Sequence, residues 1–354
     1  MSQLKGDEIY VRSEVVARLK NVMSEYLEKS LKLLPSRNSL HELIRSSEFK
    51  KGFIDEYSGL ALRRIGVVDG GSNILPLNVG YVGIVSALGI LIEDNRVIGR
   101  VSSGPEVVPE DPSELHVYDS LDTIKNMVDK IREALVFEVA LKLMSIEELD
   151  LLIVDGPLAP YGALAKIVSS SEEEIKAWER YKEAVLRLGR ECLKREIKVI
   201  GVVKRPRSRY LAMQRGWETY DHVILSSLLR AGEYLPDPPV SLLKLSMFIH
   251  EKDVVKILEE FNVSFTYVRF TDLTPPYRID FRDIREYKDV LAFLYRTRTR
   301  EGLPAILFKA DEEAKITKKL MREVYEDVIR EIVARHSGEE FGKLISLLPE
   351  YGGI

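Results

Sequence analysis

The chain has 354 residues, of which 45% are apolar and 31% are charged, with a net charge of −4. This length allows one elaborated domain or two, and the balance of 52 basic and 56 acidic side chains excludes a uniformly basic surface. The single cysteine, Cys192, excludes an internal disulfide framework. The polar first residues and the lack of an 18-residue apolar stretch predict a cytoplasmic protein without a membrane span.

The first part of the chain is charged and helical in pattern. Within residues 8–60, apolar side chains such as Val15, Leu19 and Met23 recur every three to four residues. This spacing places them on one side of a helix. We predict an N-terminal helical extension over residues 1–60, which is a candidate assembly element.

Residues 61–103 have the pattern of three strands. The β-branched run 65–68 ends at Asp69 and is followed by a glycine-rich loop at 70–73. Strands over 81–92 and 96–102 then flank a turn signal, which predicts a hairpin. The chain is therefore expected to run out, back and out again.

Two further buried strands follow, each after a helix. Helix 119–145 precedes a strand that ends at Asp155, and helix 171–196 precedes a strand over 197–203 that ends before Lys204. The ribonuclease H topology has this order of elements: three antiparallel strands, followed by helix, strand, helix and strand. We predict an α/β fold with a ribonuclease H-like mixed sheet flanked by helices over 61–335, with helical additions at both termini, the second over 336–354.

The rest of the predicted domain alternates helices and strands without repeats. Helices are predicted over 221–232, 251–261, 283–296 and 311–335, and strands over 243–249, 264–270, 277–281 and 304–309.

Two carboxylates are expected to meet at one edge of this sheet. In the predicted topology the first and fourth strands are neighbours, so Asp69 and Asp155 end side by side. Such a pair repels unless a divalent cation with oxygen ligands, Mg²⁺ or Mn²⁺, lies between them. Each Asp-Gly pair taken alone has the alternative role of a turn or a helix cap.

A third acid is expected from the preceding helix. Glu138 shares the apolar face of Ile131 and Leu135, where a carboxylate is costly without a partner. A metal ion is one such partner and a buried salt bridge is another. The nearby Glu133 is expected to point toward the polar side.

A basic segment begins where the strand over 197–203 ends. Lys204 is followed by Arg205, Arg207, Arg209 and Arg215, with no acidic residue between 204 and 215. Beside a metal cluster these cations would hold the phosphates of a nucleic acid, and the interleaved aromatic residues Tyr210 and Trp217 would stack on unpaired bases. The alternative is a solvated basic loop.

Several short motifs resemble the NurA nucleases, an archaeal family. They are 68–72 (VDGGS), 153–158 (IVDGPL), 203–206 (VKRP), 221–232 (DHVILSSLLRAG) and 276–281 (PYRIDF), with Glu138 between the first two. The resemblance covers roughly residues 60–320, and the order and spacing of the motifs carry it.

The resemblance implies a manganese-dependent deoxyribonuclease, with Mg²⁺ as the alternative ion. It implies metal ligands at Asp69, Glu138 and Asp155, with Lys204 beside them as a catalytic residue. It further implies single-stranded DNA and duplex ends as substrates, 5′ to 3′ end resection in recombinational repair, a homodimer, and a HerA-type hexameric ATPase as partner. Leu303 and Asp311 stand where the family carries a Tyr and a His, which puts full activity in question. Asp311 could still cap the final helix or lie near the metal.

Two alternatives remain open from the sequence. A catalytically weakened or inactive subunit would bind DNA and the translocase without cleaving DNA. A sugar-kinase or actin-like ATPase shares the same core, but it requires a duplicated domain and a glycine-rich nucleotide motif that the sequence lacks.

Overall fold

The computed structural model describes residues 3–32, 34–45, 50–57, 62–94, 96–117, 120–159, 172–243, 255, 259–335 and 342–343. Within these ranges nine strands form one mixed sheet, in the order β1-β7-β8-β9-β6-β5-β2-β3-β4. The strands are β1 (Gly52–Phe53), β2 (Arg64–Leu77), β3 (Gly80–Glu93), β4 (Arg96–Val108), β5 (Leu151–Asp155), β6 (Lys198–Val203), β7 (Glu233–Ser241), β8 (Ser264–Val268) and β9 (Tyr277–Phe281).

One half of the sheet has the topology that the sequence predicts. Strands β2, β3 and β4 pair antiparallel in succession, β5 lies parallel to β2, and β6 lies parallel to β5. The β-branched residues of β5 and β6 are buried because helices cover both faces of the sheet. The prediction of an α/β fold with a mixed sheet flanked by helices is confirmed.

The other half of the sheet is antiparallel and is added to β6. Strand β9 pairs with β6, and β8, β7 and β1 follow outward. Strand β1 lies within the predicted N-terminal extension, so this part of the chain contributes to the sheet.

Helices pack on both faces of the sheet. The described helices are α1 (Gln3–Lys32), α2 (Arg37–Arg45), α3 (Leu121–Ile146), α4 (Glu172–Arg195), α5 (Tyr210–Gln214), α6 (Asp221–Leu228), α7 (Tyr287–Arg296), α8 (Ala305–Ala314) and α9 (Lys318–Arg335). Helices α3 to α6 share one apolar core with Val68 and Val154 of the sheet. Helices α7 and α8 share a second core with Val67 and Ile153 on the opposite face. The alternation of Val67 and Val68 between the two cores follows from the two-residue period of a strand.

The N-terminal helices differ in how they pack. Apolar side chains of α1, such as Leu19 and Tyr26, are exposed, whereas Leu40 and Leu43 of α2 lie in the core. None of the helices in the described ranges is long and apolar enough to cross a bilayer.

Three local predictions are wrong. Residues 70–73 continue strand β2 instead of forming a loop. Residues 304–309 were expected as a strand but begin helix α8, since a short apolar run has the same pattern in a buried helix as in a strand. Strand β7 was missed because its three prolines are atypical of a strand interior.

Other predictions fall on parts of the chain that the structure describes only in part. The strand over 243–249 and the helix over 251–261 lie mostly outside the described residues, as does the C-terminal addition at 336–354. The boundaries of the N-terminal extension, the nuclease-like domain and the C-terminal addition stay predictions.

Candidate active site

The register of two parallel strands brings two aspartates together. Val68 of β2 is paired with Val154 of β5, so the next residues, Asp69 and Asp155, lie side by side. Both side chains point to the face that α7 and α8 cover, because they follow Val67 and Ile153 by two residues. The predicted adjacency of the two carboxylates is therefore present in the fold.

Lys204 and Asp311 complete a charged cluster with this pair. Lys204 follows β6, and its Nζ atom lies 2.5 Å from Oδ2 of Asp155 and 2.5 Å from Oδ1 of Asp311. Asp311 belongs to α8, which packs across β2 and β5. Carboxylate oxygens of Asp69, Asp155 and Asp311 all lie within 4.8 Å of one another.

Burial changes the protonation of these groups. Burial and the charge of Asp155 raise the pKa of Asp69 to about 8. Burial also raises the pKa of Asp155, although Lys204 opposes this shift. Burial alone would lower the pKa of Lys204, but the neighbouring carboxylates outweigh it and raise that pKa. Without a further cation, the site holds more negative charge than Lys204 can neutralise.

Glu133, and not Glu138, is the glutamate of α3 that faces this cluster. The Glu133 side chain is 5% exposed and its Oε1 atom accepts from Arg132 at 2.7 Å. Its Oε2 atom is buried and has no hydrogen-bond partner among the residues that the structure describes. Burial raises its pKa despite Arg132, and Asp155 contributes to the increase. The expectation that Glu133 points toward the polar side is wrong. Helix α3 is packed between the sheet and α4, so its buried residues are not confined to a single apolar face.

Glu138 lies elsewhere and is paired. Arg180 of α4 donates to Glu138 at 2.7 Å and 2.9 Å, and it also binds Glu106 of β4. Five residues rotate a helix by about 140°, so Glu133 and Glu138 cannot face the same site. The predicted placement of Glu138 in the carboxylate cluster is wrong, and a salt bridge, the alternative that the sequence left open, is present but only partly buried.

An open cleft of about 750 Å³ lies over the cluster. Its walls include Asp69, Asp155, Asp311 and Glu133, the β2 backbone at 70–72, and the basic residues Arg132, Arg205, Arg207 and Lys315. Arg205 and Arg207 are exposed, as a phosphate-binding role requires.

The other members of the predicted basic and aromatic segment do not line the cleft. The Arg209 guanidinium donates to the backbone oxygens of Trp217 and Thr219. Tyr210 is buried against Phe265 and presents no ring face for a base. Trp217 is partly buried and packs against the core. Arg215 is exposed at the end of α5.

The residues present fit a divalent metal ion. Three clustered aspartates supply the hard oxygen ligands that Mg²⁺ and Mn²⁺ prefer, and the unpartnered Oε2 atom of Glu133 faces the same cleft. The sequence marked Asp311 as a departure from a family pattern that could cap the final helix or lie near metal, and it placed Glu133 on the polar side of its helix. Both residues come from helices, and short sequence motifs do not reveal how a helix packs against the sheet.

Comparison with known proteins identifies the chain's relatives. A model of the NurA domain family matches residues 63–316. The chain is similar to the NurA nuclease from Sulfolobus solfataricus, with 16% identity over 95% of this chain and 99% of that chain and a TM-score of 0.58. It is also similar to a NurA structure with manganese (14% identity, 92% and 99% coverage, TM-score 0.51) and to one of NurA bound to dAMP and manganese (13%, 93% and 99%, 0.50). No curated protein sequence matches it significantly.

Proposed function

The chain belongs to the NurA family, as its motifs predicted, and on that premise we propose that it is a metal-dependent deoxyribonuclease. The observation that carries the proposal is the cluster of Asp69, Asp155 and Asp311, which lies under an open cleft with arginines at its rim. A relative in this family was crystallised with dAMP and manganese, which supports a DNA strand as substrate and Mn²⁺ as the ion.

We assign the metal to Asp69, Asp155 and Asp311, with Glu133 as the fourth carboxylate. When bound there, a divalent ion polarises a phosphodiester and lowers the pKa of a coordinated water molecule. In this proposal the first three residues hold the ion, and Glu133 binds it directly or orients its water.

Lys204 and two arginines act on the phosphate in this proposal. The Lys204 ammonium lies between Asp155 and Asp311, and from this position it would stabilise negative charge that develops on a phosphate bound at the cluster. Arg205 and Arg207 bind the flanking phosphates, because both are exposed on the cleft wall. Their contribution depends on charge and not on base sequence.

The family membership also supports finer proposals. We propose cleavage of single strands and 5′ to 3′ resection of duplex ends in recombinational repair. We further propose a homodimer that works with a HerA-type hexameric ATPase in the cytoplasm. The exposed apolar face of α1 is a candidate surface for such assembly.

Site variants test the nuclease assignment on a labelled single-stranded oligonucleotide with Mn²⁺. Asp69→Ala and Asp155→Ala are expected to abolish cleavage, and Glu133→Gln to slow it about 10- to 100-fold, as loss of a metal-orienting group does. Glu138→Gln is the matched control, since it removes a carboxylate of the same helix that contacts Arg180 and not the cleft.

Undiminished cleavage by either aspartate variant would refute the assignment. A wild-type chain that binds DNA but cleaves none with Mn²⁺ or Mg²⁺ would support the alternative, a non-catalytic DNA-binding subunit. If Glu138→Gln lowered the cleavage rate as much as Glu133→Gln, Glu138 would have to be counted among the active-site residues.

A further inference from the structure

Two aromatic rings are stacked beside the basic segment that lines the cleft. Tyr220 and His222 lie with ring centroids 5.8 Å apart and an interplanar angle of 18°. Tyr220 is 43% exposed, so His222 covers one face of its ring and leaves other parts of the ring open to solvent. Neither residue belongs to the charged cluster described above.

Three sets of hydrogen bonds fix this pair to the basic segment. Nδ1 of His222 donates to the Pro206 backbone oxygen at 2.7 Å, between the two arginines of the cleft wall. The backbone nitrogen of Asp221 donates to the oxygen of Ser208 at 3.0 Å. Arg209 donates to the oxygens of Thr219 and Trp217 at 3.3 Å and 3.1 Å.

Buried contacts make the support rigid. The Asp221 carboxylate accepts from the backbone nitrogens of Tyr210, Leu211 and Ala212 and from the Tyr267 hydroxyl. Two sets of contacts therefore hold the ring pair in place. Asp221, which lies between the two aromatic residues in sequence, is anchored to α5 and Tyr267, and His222 is bonded to the backbone of the basic segment at Pro206. A preorganised ring loses little conformational freedom when a flat ligand stacks on it.

We propose that Tyr220, supported by His222, is a stacking platform for one unpaired base of a strand whose phosphates lie on Arg205 and Arg207. The inference rests on the proposed function and deepens it by naming the side chain that holds an unpaired base. Base stacking on an aromatic ring is tolerant of sequence, whereas a paired base has its faces covered by its neighbours. This platform replaces the role that the sequence suggested for Tyr210 and Trp217, whose rings pack on the core.

Binding of abasic strands separates stacking from a structural role. We would measure the dissociation constant by fluorescence anisotropy, with Ca²⁺ in place of Mn²⁺ to prevent cleavage. The probes are a labelled oligothymidine strand, the same strand with one abasic position moved along it, and a blunt duplex. Tyr220→Ala is expected to weaken binding of the intact strand about 5- to 100-fold.

The decisive result is the interaction between the two changes. At one abasic position, the loss of wild-type affinity relative to the intact strand should equal the loss that Tyr220→Ala shows on the intact strand. The variant should bind the intact strand and this abasic strand with the same affinity. Tyr220→Phe and Tyr220→Trp should retain wild-type affinity. Phe53→Ala is the control, because Phe53 is an exposed aromatic residue on β1, four strands from β6.

The outcomes distinguish this inference from the proposed function. Wild-type binding with unchanged affinity in Tyr220→Ala overturns the platform and leaves the nuclease assignment standing. An equal loss on intact and abasic strands also overturns it, because the ring then only supports the loop. A wild-type chain that binds none of the probes overturns the proposed function itself.

Discussion

At the scale of single residues, the charge balance of the site depends on one ammonium group. Lys204 pairs with Asp155 and Asp311, whereas Asp69 forms no ion pair among the described residues. Asp69 does accept a hydrogen bond from the Gly70 backbone nitrogen at 2.7 Å, which favours its ionised form. Burial outweighs that bond, and the pKa of Asp69 rises to about 8.

This raised pKa predicts how the metal-free chain responds to pH. The folded chain keeps the Asp69 proton up to about pH 8, whereas the unfolded chain releases it near pH 4. The folded state therefore binds more protons between these values, and this contribution to stability falls as pH rises through that window. Below about pH 4, Asp69 is protonated in both states and its contribution to the free energy of unfolding is fully present.

Asp69→Asn isolates this contribution, because asparagine does not titrate. We expect the variant to exceed wild type by about 5 kcal/mol in free energy of unfolding at pH 8, at roughly 1.4 kcal/mol for each unit of pKa shift, and the difference to shrink toward pH 4. Urea unfolding in EDTA, from pH 4 to 9, measures both chains. A difference that stays constant with pH would show that Asp69 ionises normally.

At the scale of secondary-structure elements, the docking of α8 on β2 positions Asp311. A Cβ atom at Gly71 would lie 1.9 Å from the backbone oxygen of Ala314, at the end of α8. Just beyond, the Asn73 side chain donates to the Ile316 backbone oxygen at 3.2 Å. The close approach of helix and strand therefore requires glycine at position 71.

Gly71→Ala should displace α8 and move Asp311 away from Asp69. We expect a loss of about 1–3 kcal/mol in unfolding free energy, which is typical of overpacking, together with weaker Mn²⁺ binding by calorimetry. Gly99→Ala on β4 is the control, since its Cβ would meet Leu91 at an ordinary 3.7 Å. Equal Mn²⁺ affinity in both variants would argue against Asp311 as a ligand.

At the scale of the whole molecule, the N-terminal residues contribute unequally to the fold. The apolar side chains described on α1 are exposed, but Leu40 and Leu43 of α2 are buried in the core and β1 extends the sheet beyond β7. A boundary at residue 60 would therefore remove parts of the packed body along with α1.

Two truncations test this division. Deletion of residues 1–34 should leave the free energy of unfolding nearly unchanged, because it removes a helix whose described side chains are exposed. Deletion of residues 1–54 should cost at least about 3 kcal/mol, since each buried leucine contributes roughly 2 kcal/mol. Denaturant unfolding compares both with the full chain, and equal losses would mean that α1 is packed in solution.

Much of the architecture was predictable from short sequence patterns. Continuous β-branched runs marked β5 and β6, and the order of strands and helices gave the ribonuclease H-like half of the sheet. The antiparallel half was less predictable. Strand β7 contains prolines, and the apolar run at 304–309 fits a buried helix as well as a strand.

The candidate site divides in the same way. Asp69, Asp155 and Lys204 could be found from the sequence because each follows a recognisable β-branched run, although β2 continues past Asp69 to Leu77. The sequence by itself thus determined the family, the mixed sheet and the edge where the charged residues meet. Only the tertiary structure decided that Glu133 and Asp311 face this edge, that Glu138 pairs with Arg180, and that Tyr210 is buried. The physical reason is that the orientation of a helix depends on packing between elements distant in sequence, whereas a continuous β-branched run indicates a buried strand by its own residues.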